Sequence, residues 1–217
     1  DSFAAEMNKE GVKLTLLVNP HAPSGALMPI DAVSQLASTL DSILLLDEAY
    51  IDFVDHEYQS ISLINKHDNL IILRTLSKGY SLAGLRFGYG IATQQLIEPM
   101  LTKTKDSYNL DLLSQEIAAA AIEDQLSAKV SWELVIKERD RLQTALETLG
   151  MPSPPSQTNF LLATTPVDAE QIYRELKDRQ ILVRYFASPK LKDKLRISVG
   201  KSVENDRLLM AIREILD

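Results

Sequence analysis

Three short apolar runs, at residues 13–18, 43–46 and 70–73, constrain the fold of this chain more than any other feature. None of them alternates apolar and polar residues, so each is typical of a strand that is covered on both faces. Residues 29–40 have the periodicity of an amphipathic helix, and a loop with a short helical piece leads to the third run. Alternating strands and helices predict an α/β fold with a mostly parallel sheet.

A fourth strand is predicted at residues 86–91, shortly after the third. Parallel neighbours need a long crossover connection, and the chain between these two strands is short. We therefore do not expect the fourth strand to be parallel to the third.

Polar side chains follow three of these strands at the point where each one ends. Asn19 follows the first strand, Asp47 the second, and Thr75, Ser77 and Lys78 the third. Ligands of open parallel sheets bind beyond the carboxyl ends of the strands, so we expect these residues to converge on one crevice. A carboxylate at the end of an apolar strand costs free energy unless it is paired, so Asp47 is either a capping or salt-bridged residue or a functional one.

The segment that begins at Thr75 places a lysine among small residues. Lys78 lies between Ser77 and Gly79, and Arg86 follows eight residues after the lysine. Such a loop lets a ligand approach closely, and a neutral lysine amine can condense with an aldehyde. An arginine can hold a phosphate through two parallel hydrogen bonds. A Ser-Lys-Gly loop is by itself most often a surface turn, so the spacing alone does not establish this chemistry.

The second half of the chain changes character. Residues 93–149 are helical almost throughout, with a break near 107–111 and an end at Gly150. The prolines of residues 151–156 cannot lie in helix interiors or central strands, so they mark a boundary. Beyond it we predict a small α+β unit with strands at 159–163, 181–183 and 195–199 and helices at 167–179 and 203–216. The predicted domains are a partial large domain at 1–100, connecting helices at 101–150 and a small C-terminal domain at 151–217.

Composition excludes several classes of site and partner. The chain has 217 residues and no cysteine, so disulfides, thiolate metal sites and cysteine nucleophiles are excluded. Its formal charge of −7 argues against a nucleic-acid partner. No apolar run approaches the roughly 18 residues that cross a bilayer and the first residues do not resemble a signal peptide, so we expect no membrane partner and a cytoplasmic location. His21, His56 and His67 lack metal-ligand spacing, so no metal is predicted.

Three motifs occur in order along the chain: Asn-Pro-His-Ala-Pro-Ser-Gly at 19–25, Asp-Glu-Ala-Tyr at 47–50 and Ser-Lys-Gly-Tyr-Ser-Leu-Ala-Gly-Leu-Arg-Phe-Gly-Tyr at 77–89. Together they resemble the motifs of fold-type I aminotransferases that use pyridoxal 5'-phosphate (PLP), and most closely the histidinol-phosphate aminotransferase group. The resemblance implies the PLP-transferase fold type I, with a partial large domain and a small C-terminal α+β domain. It also implies PLP as the cofactor.

The resemblance assigns a role to each matching residue. Lys78 would be the Schiff-base lysine and the proton shuttle, and Asp47 would keep the pyridine nitrogen of the cofactor protonated. The remaining cofactor-binding residues would be Asn19 and Tyr50 at the phenolic oxygen, and Thr75, Ser77 and Arg86 at the phosphate. Glu48, Tyr80 and Tyr89 are interpreted as structural or packing residues.

Three residues of the small domain match positions on the substrate side of the pocket. Arg196 would bind the substrate carboxylate, Arg184 the substrate phosphate, and Asn159 would line the pocket. The implied reaction is transamination between L-histidinol phosphate and 2-oxoglutarate or glutamate in histidine biosynthesis, by a homodimer at full length. A threonine-phosphate decarboxylase, an aromatic aminotransferase of the same family and a non-catalytic remnant remain as alternatives.

Chains of this family are considerably longer than 217 residues. Their glycine-rich turn, the aromatic residue that stacks on the cofactor and an N-terminal segment with tyrosines have no counterpart here. We therefore expect a fragment or a truncated product that by itself neither binds PLP tightly nor turns over. We also expect the four strands to lie side by side, with 13–18 and 86–91 as unpaired outer edges.

Overall fold

The computed structural model describes residues 2–55 and 57–217, so His56, one of the three histidines considered above, lies outside the described residues. The chain divides into two compact units. The first unit comprises the residues up to His21 together with Leu27–Lys129, and the second comprises Ala22–Ala26 and Val130–Asp217.

The first unit contains a four-stranded sheet whose strands adjoin in chain order, β1-β2-β3-β4. The strands are β1 (Leu14–Val18), β2 (Ile43–Asp47), β3 (Leu70–Thr75) and β4 (Gly88–Ala92). Helix α1 (Ser2–Lys9) precedes β1, and helix α2 (Ile30–Thr39) connects β1 to β2. β1, β2 and β3 are parallel, and β4 runs antiparallel to β3. The predicted parallel sheet, its antiparallel fourth strand and its outer edges at β1 and β4 are thus confirmed.

The register of the parallel strands brings their carboxyl ends to one level. Val18 is the partner of Asp47 across β1 and β2, and Asp47 is the partner of Leu73 across β2 and β3. Two further main-chain bonds extend this pairing, from Asn19 N to the Asp47 carbonyl (2.8 Å) and from Glu48 N to the Leu73 carbonyl (2.9 Å). The residues that follow each strand therefore leave the sheet side by side.

The core of the first unit lies between the sheet and the helices α1 and α2. Its buried residues are Ala4, Val33, Ala37, Leu40, Leu44, Leu46, Leu63, Leu70 and Ile72. The alternate residues Leu44 and Leu46 of β2 are fully buried, as are Leu70 and Ile72 of β3. Burying a leucine or isoleucine side chain stabilises a fold by about 1.5–3 kcal/mol, so this layer fixes the sheet that carries the site.

The region after β4 is helical, as predicted. It forms α3 (Gln94–Pro99), a π-helical turn at Met100–Thr104, α4 (Leu112–Glu123) and α5 (Gln125–Thr148). The Asp111 side chain caps α4 by accepting a hydrogen bond from Ser114 N (2.8 Å). In the part of the chain that the structure describes, none of the helices combines the length and the apolarity that crossing a membrane requires.

The second unit has an antiparallel three-stranded sheet in the order β5-β7-β6. Its elements after α5 are β5 (Phe160–Thr164), α6 (Ala169–Asp178), β6 (Arg184–Tyr185), β7 (Lys194–Ser198) and α7 (Ser202–Leu216). The end of α5, β5, α6, β7 and α7 enclose one apolar core. The predicted α+β character of this unit is confirmed.

The strand predicted at 181–183 is wrong, because the pairing with β7 occurs at Arg184 and Tyr185. Gln180 has φ +60° and ends α6, and Ile181 N returns to the Leu176 carbonyl at 2.8 Å. Residue 181 therefore completes the helix-terminating turn, and the side chains of Ile181 and Val183 pack against the core.

Candidate active site

A cavity of about 410 Å³ opens at the carboxyl ends of β2 and β3. It is lined by Asp47, Ala49, Leu73, Arg74, Thr75, Gly88, Tyr89 and Gly90. Two residues predicted for the site, Asp47 and Thr75, therefore face one space. Gly88 and Gly90 line the β4 side, and the missing side chains there help keep the cavity open.

Asp47 is half-buried at the end of β2. Its Oδ1 accepts a hydrogen bond from Ala49 N at 3.0 Å, which fixes the carboxylate against the start of the following loop. Among the described residues, Oδ2 accepts no side-chain or main-chain hydrogen bond, so it is available to a donor in the cavity. A ring N–H is a donor of the required kind.

The hydroxyl groups of Thr75, at the end of β3, and Ser77 lie within hydrogen-bond distance of each other. Thr75 Oγ1 lies 2.9 Å from Ser77 Oγ and 3.1 Å from the Phe87 carbonyl, and it accepts a hydrogen bond from Ser77 N at 3.1 Å. Thr75 has one hydroxyl hydrogen for these two acceptors, so Ser77 keeps its own hydrogen for an anion when Thr75 donates to Ser77 Oγ rather than to the Phe87 carbonyl. Leu76 N donates to the same Phe87 carbonyl at 3.2 Å, so the chain at Arg86–Phe87 lies next to Thr75–Ser77.

Arg86 is exposed and has φ +57°, in the left-handed region that non-glycine residues seldom adopt. Its Nη1 donates to the Ala83 carbonyl at 3.0 Å, and this is a local bond within the turn. The remaining N–H groups of the guanidinium are donors of the kind that binds an anion.

Lys78 is exposed, and its Nζ lies 5.6 Å from the centroid of the Tyr50 ring. Two more residues of the predicted set are therefore neighbours, joined by a cation–π contact. The described residues leave the amine in contact with solvent.

Asn19 is buried, and both hydrogens of its amide nitrogen are donated. Nδ2 donates to Tyr58 Oη (2.8 Å) and the Met28 carbonyl (3.2 Å), while Oδ1 accepts from Met28 N (2.7 Å). The predicted contact of Asn19 with the cofactor oxygen would require one of these bonds to be exchanged. Sequence analysis did not identify Tyr58, because nothing in its loop marks it as a partner of Asn19. Burial raises the pKa of its phenol to about 12.

Glu48, interpreted from the sequence as structural or surface, is structural. It is 1% exposed and pairs with Arg74 at 2.9 Å. Burial raises the pKa of Glu48, and it also raises the pKa of the nearby Asp52 to about 6. Sequence analysis did not identify Arg74 or Asp52 as site neighbours. For Arg74, the one signal in the sequence was a charged residue near the end of an otherwise apolar strand.

In the second unit, the two predicted arginine clamps are direct cross-strand partners. Arg184 on β6 is paired with Arg196 on β7. The Phe186 ring centroid lies 5.6 Å from the guanidinium carbon of Arg184 and 5.9 Å from that of Arg196, which also lies 5.0 Å from the Phe160 ring. Two like charges are thus held side by side on aromatic faces, an arrangement that suits an anion.

Asn159 directly precedes Phe160 and β5, and its carbonyl accepts a hydrogen bond from Val199 N at 2.9 Å. This bond fixes the main chain of Asn159 beside the end of β7. Asn159, Arg184 and Arg196 all belong to the second unit, whereas Asn19, Asp47, Tyr50, Thr75, Ser77, Lys78 and Arg86 belong to the first.

Comparison with known proteins places the chain in a family. The sequence profile described as "Aminotransferase class I and II" matches residues 3–212. A protein named histidinol-phosphate aminotransferase 1 from a Nostoc species is 44% identical over 205 residues, which are 94% of this chain and 57% of the relative. Histidinol-phosphate aminotransferase from Microcystis aeruginosa is 43% identical over 94% of this chain and 58% of the relative. The chain therefore spans a little under three fifths of these relatives.

The fold is also found among solved structures. The crystal structure of histidinol-phosphate aminotransferase from Sinorhizobium meliloti, in complex with pyridoxal-5'-phosphate, has a TM-score of 0.89 and 29% identity to this chain. The match covers 98% of this chain and 60% of that one. The predicted fold, a partial large domain followed by a small α+β domain, is confirmed. Since the family profile extends over nearly every residue, the chain belongs to the class I and II aminotransferase family.

Proposed function

We propose that the protein containing this chain is a PLP-dependent aminotransferase that transfers an amino group between L-histidinol phosphate and 2-oxoglutarate, in histidine biosynthesis. The observation that carries the proposal is the meeting of Asp47 and Thr75 in one cavity, with Lys78 in the segment that follows. The names of the relatives at 43–44% identity support the substrate. We also propose that the protein acts as a homodimer in the cytoplasm.

The residues present fit PLP. The cofactor carries a phosphate, a ring nitrogen and an aldehyde, and the first unit offers a group for each. The Ser77 hydroxyl and the Arg86 guanidinium can take the phosphate, the free Oδ2 of Asp47 can accept from the ring N–H, and the Lys78 amine can meet the aldehyde. When bound, PLP supplies a ring that takes up electron density as a bond to the substrate α-carbon breaks.

The side chains of the chain divide the work between binding and proton transfer. Asp47 holds a proton on the ring nitrogen by accepting its hydrogen bond as a carboxylate. The Lys78 amine removes the proton from the α-carbon of the substrate as a general base. The Tyr50 ring lies 5.6 Å from Lys78 Nζ, and the Tyr50 hydroxyl would hydrogen-bond the phenolic oxygen of the cofactor.

The arginine pair of the second unit supports the choice of substrates. Histidinol phosphate carries one phosphate, and 2-oxoglutarate carries two carboxylates, so one pocket must bind both kinds of anion. Arg184 and Arg196 are cross-strand partners and share the Phe186 ring, so they present two forked donors to the same region of the second unit. A charge-assisted hydrogen bond of this kind contributes about 1.5–3 kcal/mol.

The test uses the protein at its natural length. PLP addition should give an absorbance band of a lysine-bound cofactor, and mass spectrometry should detect glutamate when histidinol phosphate and 2-oxoglutarate are supplied. The variant Lys78→Ala should lose the band and lower kcat by at least about 10³-fold, because the general base is gone. Lys103→Ala, an exposed lysine of the π-helical turn, is the matched control and should keep both.

Other outcomes identify the alternatives. Release of CO₂ from threonine phosphate, without a keto product, would overturn the transaminase assignment in favour of a decarboxylase. Turnover of phenylalanine or tyrosine in preference to histidinol phosphate would indicate an aromatic aminotransferase. Absence of the band in the unsubstituted protein would indicate a non-catalytic remnant.

A further inference from the structure

Asp52 follows the 47–50 motif, on the short 3₁₀ turn Ile51–Phe53, and its side chain packs against Gly79. A Cβ built on Gly79 would lie 2.6 Å from both Cβ and Cγ of Asp52 and would collide with Oδ2. Real Cβ atoms do not approach other atoms so closely. Gly79 is not among the residues with a positive φ, so its main-chain conformation alone does not demand a glycine. The Asp52 side chain occupies the place that a side chain at position 79 would need.

Gly79 is buried, whereas the preceding Lys78 is exposed. The contact with Asp52 therefore fixes the main chain at the residue next to the lysine. We call residues 76–81 the lysine loop. Two of its other main-chain bonds are local, from Ser81 N to the Lys78 carbonyl (3.1 Å) and from Leu82 N to the Leu76 carbonyl (3.0 Å). Asp52 supplies a contact with a different segment of the first unit.

The titratable groups that face Asp52 come from four segments of the first unit. They are Glu48 after β2, Arg74 on β3, Tyr80 in the lysine loop and Tyr89 on β4. Arg74 is already paired with Glu48 at 2.9 Å. One guanidinium thus faces two carboxyl groups, so ionisation of Asp52 adds a second negative charge beside Glu48.

We propose that Asp52 is a positioning residue whose carboxyl group, packed in place of a side chain on Gly79, holds the lysine loop and so fixes where the Lys78 amine lies. The loop then responds to the protonation of Asp52, because the charged carboxylate is repelled by Glu48 and drawn to Arg74. The use of the amine in catalysis rests on the function proposed above. The packing of Asp52 on Gly79 does not.

A reciprocal pair of substitutions tests the packing, in the natural-length protein without PLP. Gly79→Ala should speed amide hydrogen exchange of the lysine loop by about tenfold, because the new methyl group displaces Asp52. Asp52→Gly should loosen the same loop by removing the contact. The double variant Asp52→Gly with Gly79→Ala moves the side chain from one side of the contact to the other, so it should return exchange toward that of the unsubstituted protein. Asp52→Asn keeps the shape and should leave exchange slow.

The lysine itself gives the second readout. The rate at which an amine reagent modifies Lys78, divided by the rate at the exposed Lys103, should change in Asp52→Gly and return in the double variant. Asp68→Asn, at an exposed aspartate outside the contact, is the matched control and should change neither rate. The proposal would be overturned if the two single substitutions had additive effects on hydrogen exchange, or if exchange of the lysine loop in Gly79→Ala were unchanged. If Gly79→Ala alone does not fold, failure of Asp52→Gly to rescue it would do the same.

A pH titration separates positioning from simple packing. Glycine-selective ¹⁵N labelling gives a sparse spectrum in which the Gly79 amide, one of the 8 glycine amides of these 217 residues, can be followed. Its chemical shift should titrate near pH 6 and should lose that transition in Asp52→Asn. A missing PLP band with an intact titration would overturn the proposed function alone. A normal band with no coupling between positions 52 and 79 would overturn the positioning role alone.

Discussion

On the 3₁₀ turn that follows β2, burial raises the pKa of the Asp52 carboxyl from 3.8 to about 6, with Arg74 opposing and Glu48 adding to the shift. A raised pKa means that the folded protein holds the proton more tightly than the unfolded chain. The stabilisation from protonated Asp52 is therefore fully present below pH 3.8 and is lost as the pH rises through about 6. At pH 7 the folded state carries a charge that it disfavours.

Asp52→Asn should remove this cost while keeping the shape of the side chain. We expect the variant to raise the free energy of unfolding at pH 7 by about 1–3 kcal/mol. The gain should fall toward zero as the pH falls from about 6 to below 4, where the aspartate is itself protonated. Urea denaturation at pH 4 and pH 7 measures both values. A gain that is equal at the two pH values would contradict the assignment of the effect to ionisation.

Arg184 gives a prediction about substrate binding. Arg184→Ala should raise the KM for histidinol phosphate about 10–100-fold, because one charge-assisted hydrogen bond to the phosphate is lost. The effect on KM for 2-oxoglutarate should be smaller, because Arg196 remains. Steady-state kinetics with each substrate varied in turn gives the comparison. Arg174→Ala, at an exposed arginine on α6, is the matched control, and an equal loss for both substrates would contradict the assignment of Arg184 to the phosphate.

The sequence identified candidate site residues at strand ends better than those in loops. The carboxyl ends of parallel strands meet at one edge, so Asp47 and Thr75 could be placed in one cavity before any coordinates were known. Asp52 and Tyr58 lie in the irregular loop between β2 and β3, where no periodicity indicates which way a side chain points. Their contacts with Gly79 and Asn19 depend on how that loop folds over the strand ends.

Among the secondary-structure elements, α5 and α6 end in the same way with different residues. Each is followed by a residue with positive φ, Gly150 (+72°) after α5 and Gln180 (+60°) after α6. In each case the next residue donates its N–H back to the helix, from Met151 to the Leu146 carbonyl and from Ile181 to the Leu176 carbonyl. Glycine reaches this conformation without strain, and glutamine does not.

Substitution of the positive-φ residue should change protein stability in opposite directions at the ends of α5 and α6. Gln180→Gly should stabilise the protein by about 0.5–1 kcal/mol, and Gly150→Ala should destabilise it by about 1 kcal/mol. An added Cβ at Gly150 meets no atom within 4 Å, so the loss there comes from the main chain alone. Thermal or urea unfolding of the two variants measures the difference. A gain from Gly150→Ala would show that the left-handed turn is not under strain.

The same turn explains why one element was predicted in the wrong place. An apolar run at 181–183 reads as a strand, but the left-handed residue before it makes Ile181 part of the end of α6. A glutamine gives no sequence signal for positive φ, whereas Gly150 correctly marked the end of α5. The long elements were predictable because their apolar pattern repeats, and the two-residue strand β6 has too few residues for any pattern.

For the molecule as a whole, the groups of the proposed reaction are divided between the units. In the first unit, Asp47 is the last residue of β2 and Lys78 follows β3, the neighbouring parallel strand. In the second unit, Arg184 and Arg196 lie on antiparallel strands. The order of motifs along the sequence predicted both sets, since each motif is local. It could not predict the pair of Glu48 and Arg74, because Glu48 follows β2, Arg74 lies on β3 and the two are 26 residues apart.

The outer strand β1 exposes two large apolar side chains. Leu14 and Leu16 are 54% and 59% exposed on a strand whose other side is unpaired among the described residues. An exposed apolar edge strand pairs readily with another chain, because its main-chain donors and acceptors are unsatisfied. We expect the 217-residue chain, produced by itself, to self-associate through β1 as its concentration rises.

Leu16→Lys places a charge on that edge and should shift the chain toward monomer, because pairing would desolvate the ammonium group. Light scattering coupled to size-exclusion chromatography, over a range of concentrations, measures the average mass. Leu182→Lys is the matched control, since Leu182 is 78% exposed but lies in the turn after α6 rather than on a sheet edge. If both variants lower the mass equally, the association comes from general surface hydrophobicity and not from the edge of the sheet.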